Sequence, residues 1–257
     1  MPKVPVSALV VAHNEEADLP DCLASLQFAD EIVVFLDRST DRSKEIAERA
    51  GARVVEGAWP MEVERRRASV EACRHDWVLE VDADERVTPE LAAEIAAALP
   101  GAKPGAFLVA YDNYIGARYV RYGWGAYNGI TMKWSLFAKG CKTWRQSGLH
   151  TRHPAIDVSG EKGKLNAHIR HNVDADFSDL FARLNHYSEM SARDAAAAGS
   201  AGSGWSAFRR FFSRFFKSYV SRKGYREGIY GVALALFAGL YPVLTYLKAK
   251  ELLNGKK

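Results

Sequence analysis

Residues 77–86 read Trp77-Val78-Leu79-Glu80-Val81-Asp82-Ala83-Asp84-Glu85-Arg86, an apolar run that ends abruptly in acids. Val78, Leu79 and Val81 give the pattern of a buried strand rich in β-branched residues. A strand that delivers carboxylates at its C-terminal end matches the place where open α/β sheets hold their ligands. Alternation along an extended chain sets Asp82 and Asp84 on the same side. Two hard oxygen donors together suit Mg²⁺ or Mn²⁺, which keeps bound water and takes substrate phosphates as further ligands. The following Thr88-Pro89-Glu90 reads as N-cap, N1 proline and first-turn acid of a helix, so a capped, solvated turn also accounts for the acids.

Working outward toward the N-terminus, residues 6–12 (VSALVVA) and 31–36 (EIVVFL) are short apolar runs, and 53–56 is a third short strand. Helical spacing covers 18–28, 42–50 (stopped by Gly51) and 62–73. The order β-α-β-α-β-α-β predicts a parallel sheet with right-handed crossovers. Polar residues then stand at three strand ends: His13, Asn14 and Glu15 after the first, Asp37 after the second, Asp82 and Asp84 after the fourth. A single helix cap explains any one of these, but not all three. Neither G-x-G-x-x-G nor G-x-x-x-x-G-K-[ST] occurs, so phosphate charge must be met by a metal and by basic side chains such as Arg65, Arg66 and Arg67. The missing Gly-rich basic loop also argues against a nucleotidyltransferase.

The run AHNEEADLPDCLASLQFADEIVVFLDRSTDRSKEIAERAGARVVEGAW, followed by WVLEVDADERVTPEL, resembles the family 2 glycosyltransferases of GT-A fold. Within them it is most similar to the branch that adds sugars during lipopolysaccharide core assembly. The motifs cover the first hundred residues strongly and the remainder loosely. The resemblance implies inverting transfer from a nucleotide-diphosphate sugar, a UDP-sugar by preference, with Mg²⁺ or Mn²⁺ on the diphosphate. Carried over by position, Ala12, His13, Asn14, Glu15 and Asp37 hold base and ribose, and Arg66 is a basic residue near the nucleotide. Asp82 faces ribose or metal, Asp84 is the main metal ligand and a catalytic residue, and His171 is a further candidate at the metal or phosphate site.

Residues 106–113 and 134–138 read as strands, with Tyr114, Tyr119, Tyr122, Trp124 and Tyr127 between them as an acceptor groove or as core under a long loop. At Gly148-Leu149-His150-Thr151 the chain departs from the family, whose relatives carry His-Glu with the acid as general base. Thr151 cannot take a proton at neutral pH, which leaves His150, Asp157 or another carboxylate as candidate base. His150 with His153, and His168 with His171, lie three apart in extended chain and face opposite sides, a poor zinc chelate.

Residues 177–198 have helical spacing and end in the small-residue stretch AAAAGSAGSG, read as a linker. Beyond it, Trp205, Phe208, Phe211, Phe212, Phe215, Phe216 and Tyr219 recur at helical steps with Arg209, Arg210, Arg214 and Lys217 between them, the pattern of a helix in a membrane interface. Residues 229–247 are uncharged but interrupted by Gly231, Gly239 and Pro242, which favours a monotopic hairpin or an interfacial helix kinked at Pro242 over a span. Charge supports the division: residues 1–203 carry 24 Lys/Arg against 29 Asp/Glu, and 204–257 carry 11 against 2. A basic tail on a mildly acidic body points to an anionic surface. The three cysteines have no paired spacing and, with no secretory signal pattern, fit a reduced cytosolic compartment.

The expectation is therefore an α/β GT-A domain over 1–203, a mostly parallel sheet flanked by helices, and a helical membrane-associating extension over 204–257. Its function is metal-dependent glycosyl transfer to a lipid-linked saccharide at the cytoplasmic membrane face, with no nucleic-acid partner. The alternatives are a polyprenyl-phosphate glycosyltransferase and an inactive sugar-nucleotide-binding membrane protein.

Overall fold

In the computed structural model, which describes residues 3–124, 130–145 and 154–255, four parallel strands form one side of the main sheet. They are β1 (Val4–Ala12), β2 (Ala29–Asp37), β3 (Arg53–Gly57) and β4 (Trp77–Asp82). They alternate with α1 (Leu19–Ser25), α2 (Ser43–Arg49) and α3 (Glu62–Ala72), as the sequence pattern requires. After β4 come β5 (Glu85–Val87), α4 (Pro89–Ala98), β6 (Gly105–Ile115), β7 (Arg118–Tyr119), β8 (Met132–Ala138), β9 (Lys142–Arg145), β10 (Ala155–Val158) and β11 (Glu161–Asp174). The order across the sheet is β3-β2-β1-β4-β8-β6-β11-β5, with β7 on β6, while β9 and β10 form a separate antiparallel pair.

Both faces of the parallel part are covered. On one, Val6, Ala8, Val10, Val34, Leu36, Leu79 and Val81 pack with Leu19, Leu23, Ala47, Leu91 and Ile95 of the helices. On the other, Leu9, Val33, Phe35, Val78 and Phe137 meet Trp144, with Val63 and Val70 of α3 against them. This is why the strands read as continuous apolar runs. Because β2 and β3 lie on one side of β1 and β4 on the other, the strand order reverses between β1 and β4. That switch point is where such sheets open a ligand crevice.

The chain divides into two compact units, Met1–Tyr111 with Met132–His171, and Asp112–Thr131 with Asn172–Lys257. The second unit contains α5 (Phe177–Ala197), α6 (Gly204–Phe216), a π turn (Lys217–Ser221), a 3-10 turn (Gly224–Glu227) and α7 (Ile229–Asn254). The sequence boundary at residue 203 had grouped α5 with the first domain. Ile115, Val120, Trp124, Val173, Leu180 and Leu234 form the core of this unit. The buried Glu227 accepts from the backbone N–H groups of Arg121 (2.9 Å) and Tyr122 (3.0 Å). Residues 229–247 form neither a hairpin nor a broken helix: α7 is a single helix that runs through Pro242. Ser191 and Tyr241 hydroxyls 2.6 Å apart, and Lys248 Nζ donating to Asn185 O at 2.8 Å, tie α7 to α5.

Candidate active site

The loops after β1 and β2 are stitched together. His13 Nδ1 donates to the Asp37 carbonyl at 2.7 Å, Thr40 N–H to Asn14 Oδ1 at 2.7 Å, and Glu15 N–H to Ser43 Oγ at 3.0 Å. Asn14 sits at φ 57°, a left-handed conformation that asparagine tolerates better than most residues. His13 and Asn14 are exposed, whereas Ala12 is buried at the strand end. The Asp37 carboxylate is buried and already satisfied: Arg38 grips both oxygens (2.9 and 3.0 Å) and Arg65 reaches one at 3.2 Å. Burial disfavours its charge, but the bonds from Arg38 and the Trp59 N–H, with the charges of Arg38 and Arg65, together hold the carboxyl below its usual range.

Arg66 is committed as well. It pairs with Glu62 (2.7 Å) and with Glu80, a carboxylate in the middle of buried β4 that also binds Lys142. Burial opposes ionisation of Glu80, yet Lys142 and Arg66 together bring it down to about 2. A charged residue inside an apolar strand is a sequence signal that buried counter-cations must exist. Here they are Lys142 and Arg66.

The acidic strand end is built differently from simple alternation. Strand β4 stops at Asp82, Ala83 and Asp84 form a turn, and the chain passes into β5, which pairs with β11. Asp82 faces Lys133 on β8, with Nζ 2.6 Å from Asp82 Oδ2 and 3.2 Å from Glu85 Oε1. Burial works against the Asp82 charge, and the Lys133 ammonium prevails, holding it well below the carboxylate range. Glu85 is the opposite case. Its burial, with Asp82 and Asp84 beside it, raises it well above that range despite Lys133. Tyr111, whose hydroxyl lies 2.7 Å from Ser135 Oγ and 3.4 Å from Glu85 Oε2, closes the floor.

Strand β11 runs antiparallel to β5 with His171 opposite Glu85, and this register brings His171 Nε2 to 3.2 Å from Asp84 Oδ2. Asp84, Glu85 and His171 each offer a ligand atom within 4.8 Å of the others, a donor set of two carboxylates and an imidazole suited to Mn²⁺ or Mg²⁺. Glu15 borders the same cluster. Burial, then Asp84 and other acids, raise its pKa to about 7.

Sequence reasoning named Asp84 and His171, which meet, and Asp82, which lies next to them but is tied to Lys133. It missed Glu85, Lys133 and Tyr111. A lysine within the apolar strand MKWSLFA was the available signal. Asp157 stands on the separate β9/β10 pair, exposed and ion-paired with Arg145, whose hydrogen bond lowers its pKa. His150, Thr151 and His153 lie outside the described residues. His168 is exposed and His171 buried, so they face opposite ways as their spacing predicts.

The family model for glycosyl transferase family 2 matches residues 7–156. The chain belongs to this family. As a family 2 glycosyltransferase with this layered α/β architecture, it is GT-A-like and an enzyme of glycosyl transfer from a nucleotide-sugar donor. An uncharacterized glycosyltransferase of Rickettsia bellii is 26% identical over 96% of the chain and 86% of its own length. The lipopolysaccharide core biosynthesis glycosyltransferase LpsC of Rhizobium meliloti is 30% identical over 35% of the chain and 36% of its own. Among solved structures, glucosyl-3-phosphoglycerate synthase of Mycobacterium tuberculosis, in complex with Mn²⁺, UDP and glucosyl-3-phosphoglycerate, is 25% identical with a TM-score of 0.36. That match covers 42% of this chain and 44% of the synthase.

Proposed function

We propose that this family 2 glycosyltransferase is metal-dependent and inverting, and moves a sugar from a UDP-sugar or related donor to a lipid-linked saccharide at the cytoplasmic membrane face. The observation that carries the reading is the Asp84–Glu85–His171 cluster beside the sheet's switch point, bordered by Glu15. A divalent cation held there would neutralise charge on the departing diphosphate. Asp84 and His171 are its ligands in this reading. Lys133 keeps Asp82 ionised and in place, and the His13–Glu15 loop, braced by the Asp37 carbonyl, receives the nucleoside. An acceptor hydroxyl needs a proton acceptor in a single displacement. Asp157, lowered by Arg145, is poorly suited, whereas Glu15 is poised near neutrality.

A lipid-linked acceptor is supported by the second unit. Among the described residues, nine of the thirteen exposed large hydrophobic side chains lie within residues 205–247, including Trp205 at 72% and Ile229 at 76% exposure, so the apolar surface is concentrated there. Basic residues flank it, the composition of an interfacial helix. The partial likeness to LpsC favours a lipopolysaccharide-core type of acceptor.

The test is calorimetric binding of UDP, GDP, ADP and CMP to the full chain, with and without Mn²⁺, beside Asp84→Ala. Mn²⁺-dependent binding of one diphosphate, lost in the variant, followed by sugar transfer to a membrane lipid extract, is the expected result. Folded protein that binds none of the four overturns the reading.

A further inference from the structure

The second unit contains a cleft of about 460 Å³ that plays no part in the chemistry above. It lies among the end of α5, the linker after it, and one side of α6 and α7. Its polar lining includes Arg210, Arg214, Ser206, Tyr241, Thr245 and Tyr246. Arg210 and Arg214 are one turn apart on α6 and lie on one face of it, close enough for both guanidinium groups to reach one anion. No carboxylate lines the cleft among the described residues, and Asp194, next to the lining residue Ala195, is not part of it. Arg210 has no ion pair among the described residues, while the Arg214 guanidinium lies 5.2 Å above the Tyr241 ring centroid. Two guanidinium groups among hydroxyl donors, in a hollow large enough for a sugar-sized group, match a phosphate ester better than a bare carboxylate.

We propose that this cleft binds a phosphorylated saccharide, the polar head of a membrane amphiphile. Helical geometry sets the choice of head over lipid phosphodiester. Trp205, Phe208, Phe212 and Phe216 recur on one side of α6, and Ser206, Arg210 and Arg214 fall on nearly the opposite side. With the aromatic side sunk in the interface, the cleft lies on the water-facing side of a helix about 10 Å across. A phosphate at that height is one carried outward on a polar headgroup. The origin of the phosphate rests on the membrane reading above; the binding of a sugar phosphate does not.

The experiment is a ³¹P NMR titration of the full chain with glucose 6-phosphate, inorganic phosphate and vesicles containing phosphatidic acid. UDP binding with Mn²⁺ on the same samples reports separately on the catalytic reading and on folding. Glucose 6-phosphate should bind more tightly than inorganic phosphate. Arg210→Gln with Arg214→Gln should weaken it by about tenfold or more, the loss of one or two charge-assisted hydrogen bonds. Arg222→Gln with Lys223→Gln removes the same charge more than two turns beyond Arg214, outside the cleft, and should leave affinity within about twofold, since charges farther apart than a Debye length are largely screened. Ser206→Glu keeps both arginines and should also abolish binding, which guards against a misfolded double variant. Equal losses in the control pair, inorganic phosphate binding as tightly, or no binding by protein that still takes UDP each overturn the proposal. So does a preference for vesicle phosphatidic acid that depends on Arg210 and Arg214.

Discussion

Glu15 and Glu85 both hold protons more tightly than free carboxylates, Glu15 because of burial and the acids of the cluster, Glu85 because of deeper burial among the same acids. Metal ligands must be deprotonated, so a cation entering the cluster should expel protons. Calorimetry of Mn²⁺ binding at pH 7 in buffers of different ionisation enthalpy should detect roughly one proton released. Glu15→Gln and Glu85→Gln should each reduce that number, and its persistence in both variants would place the titrating group elsewhere. The same shift has a stability consequence in the metal-free protein. The Glu15 pKa is raised from 4.5 to about 7 on folding, so its favourable contribution is full below 4.5 and is lost as pH rises through 7. Glu15→Gln should therefore match wild type near pH 4 and exceed it at pH 8. For this half-exposed group the gain is on the order of 1–2 kcal/mol after solvent screening, measurable by urea denaturation. Lys133 argues in the other direction. Replacing it with Met leaves the buried Glu85 and the neighbouring Asp82 without their cation, which should cost about 3 kcal/mol and lower the thermal midpoint by several degrees. Asp84 was legible as a candidate because acids paired at a strand end announce metal chemistry, and His171 only because the family resemblance pointed to it. Lys133 and Glu85 were not, because their roles exist only once β8 lies beside β4 and β11 beside β5.

Strands β1, β2 and β4 were readable because each is a mostly buried apolar run punctuated by turn signals, and a two-sided parallel sheet leaves little room for another pattern. The short β5 was not. Glu85-Arg86-Val87 has the composition of a turn and is extended because Ile169, Arg170 and His171 pair with it. Tertiary pairing overrode local preference at the very element that completes the acidic cluster. Helix α7 shows the reverse error: Gly231, Gly239 and Pro242 read as interruptions, yet the helix is continuous. The glycines serve close approach instead. A Cβ on Gly231 would meet the Gly224 carbonyl oxygen at 1.8 Å, and one on Gly239 would lie 2.9 Å from the Phe211 ring. Backbone cannot yield as a side chain can, so Gly231→Ala should destabilise the second unit by about 2–3 kcal/mol, despite alanine's better helix propensity. Gly239→Ala should cost less, because the ring can move and the Phe211 carbonyl oxygen, 3.0 Å away, has to give by only a few tenths of an ångström. Equal stability of Gly231→Ala and wild type in chemical denaturation would mean that the crossing of α7 over the 3-10 turn is loose enough to admit a methyl group.

The uneven charge of the whole chain, with 11 Lys/Arg against 2 Asp/Glu after residue 203, decides how the membrane reading can be tested. Two forces act there with different reach. Anionic lipid contributes on the order of 1 kcal/mol per nearby cation and fades with salt, whereas each phenyl ring taken from water contributes about 1.5–3 kcal/mol and does not. Charge should then govern arrival and the aromatic side of α6 retention. Binding to vesicles with anionic lipid should weaken as salt is raised but not vanish, and Phe208→Ser with Phe212→Ser should reduce what remains by more than tenfold. Helix α7 is long and apolar enough to cross a bilayer, but it packs along α5, which carries Arg183, Glu189, Arg193 and Asp194. Carrying that helix into hydrocarbon would cost about 2.5 kcal/mol or more for each charged side chain near the centre, which outweighs the gain from burying the exposed Leu236 and Leu247. An interfacial position avoids the cost. Membranes from cells that express the full chain should therefore release it on washing with alkaline carbonate, while a spanning helix would keep it in the pellet. Retention after that wash would mean that α7 leaves α5 and inserts, and would return the acceptor's anchor to a transmembrane setting.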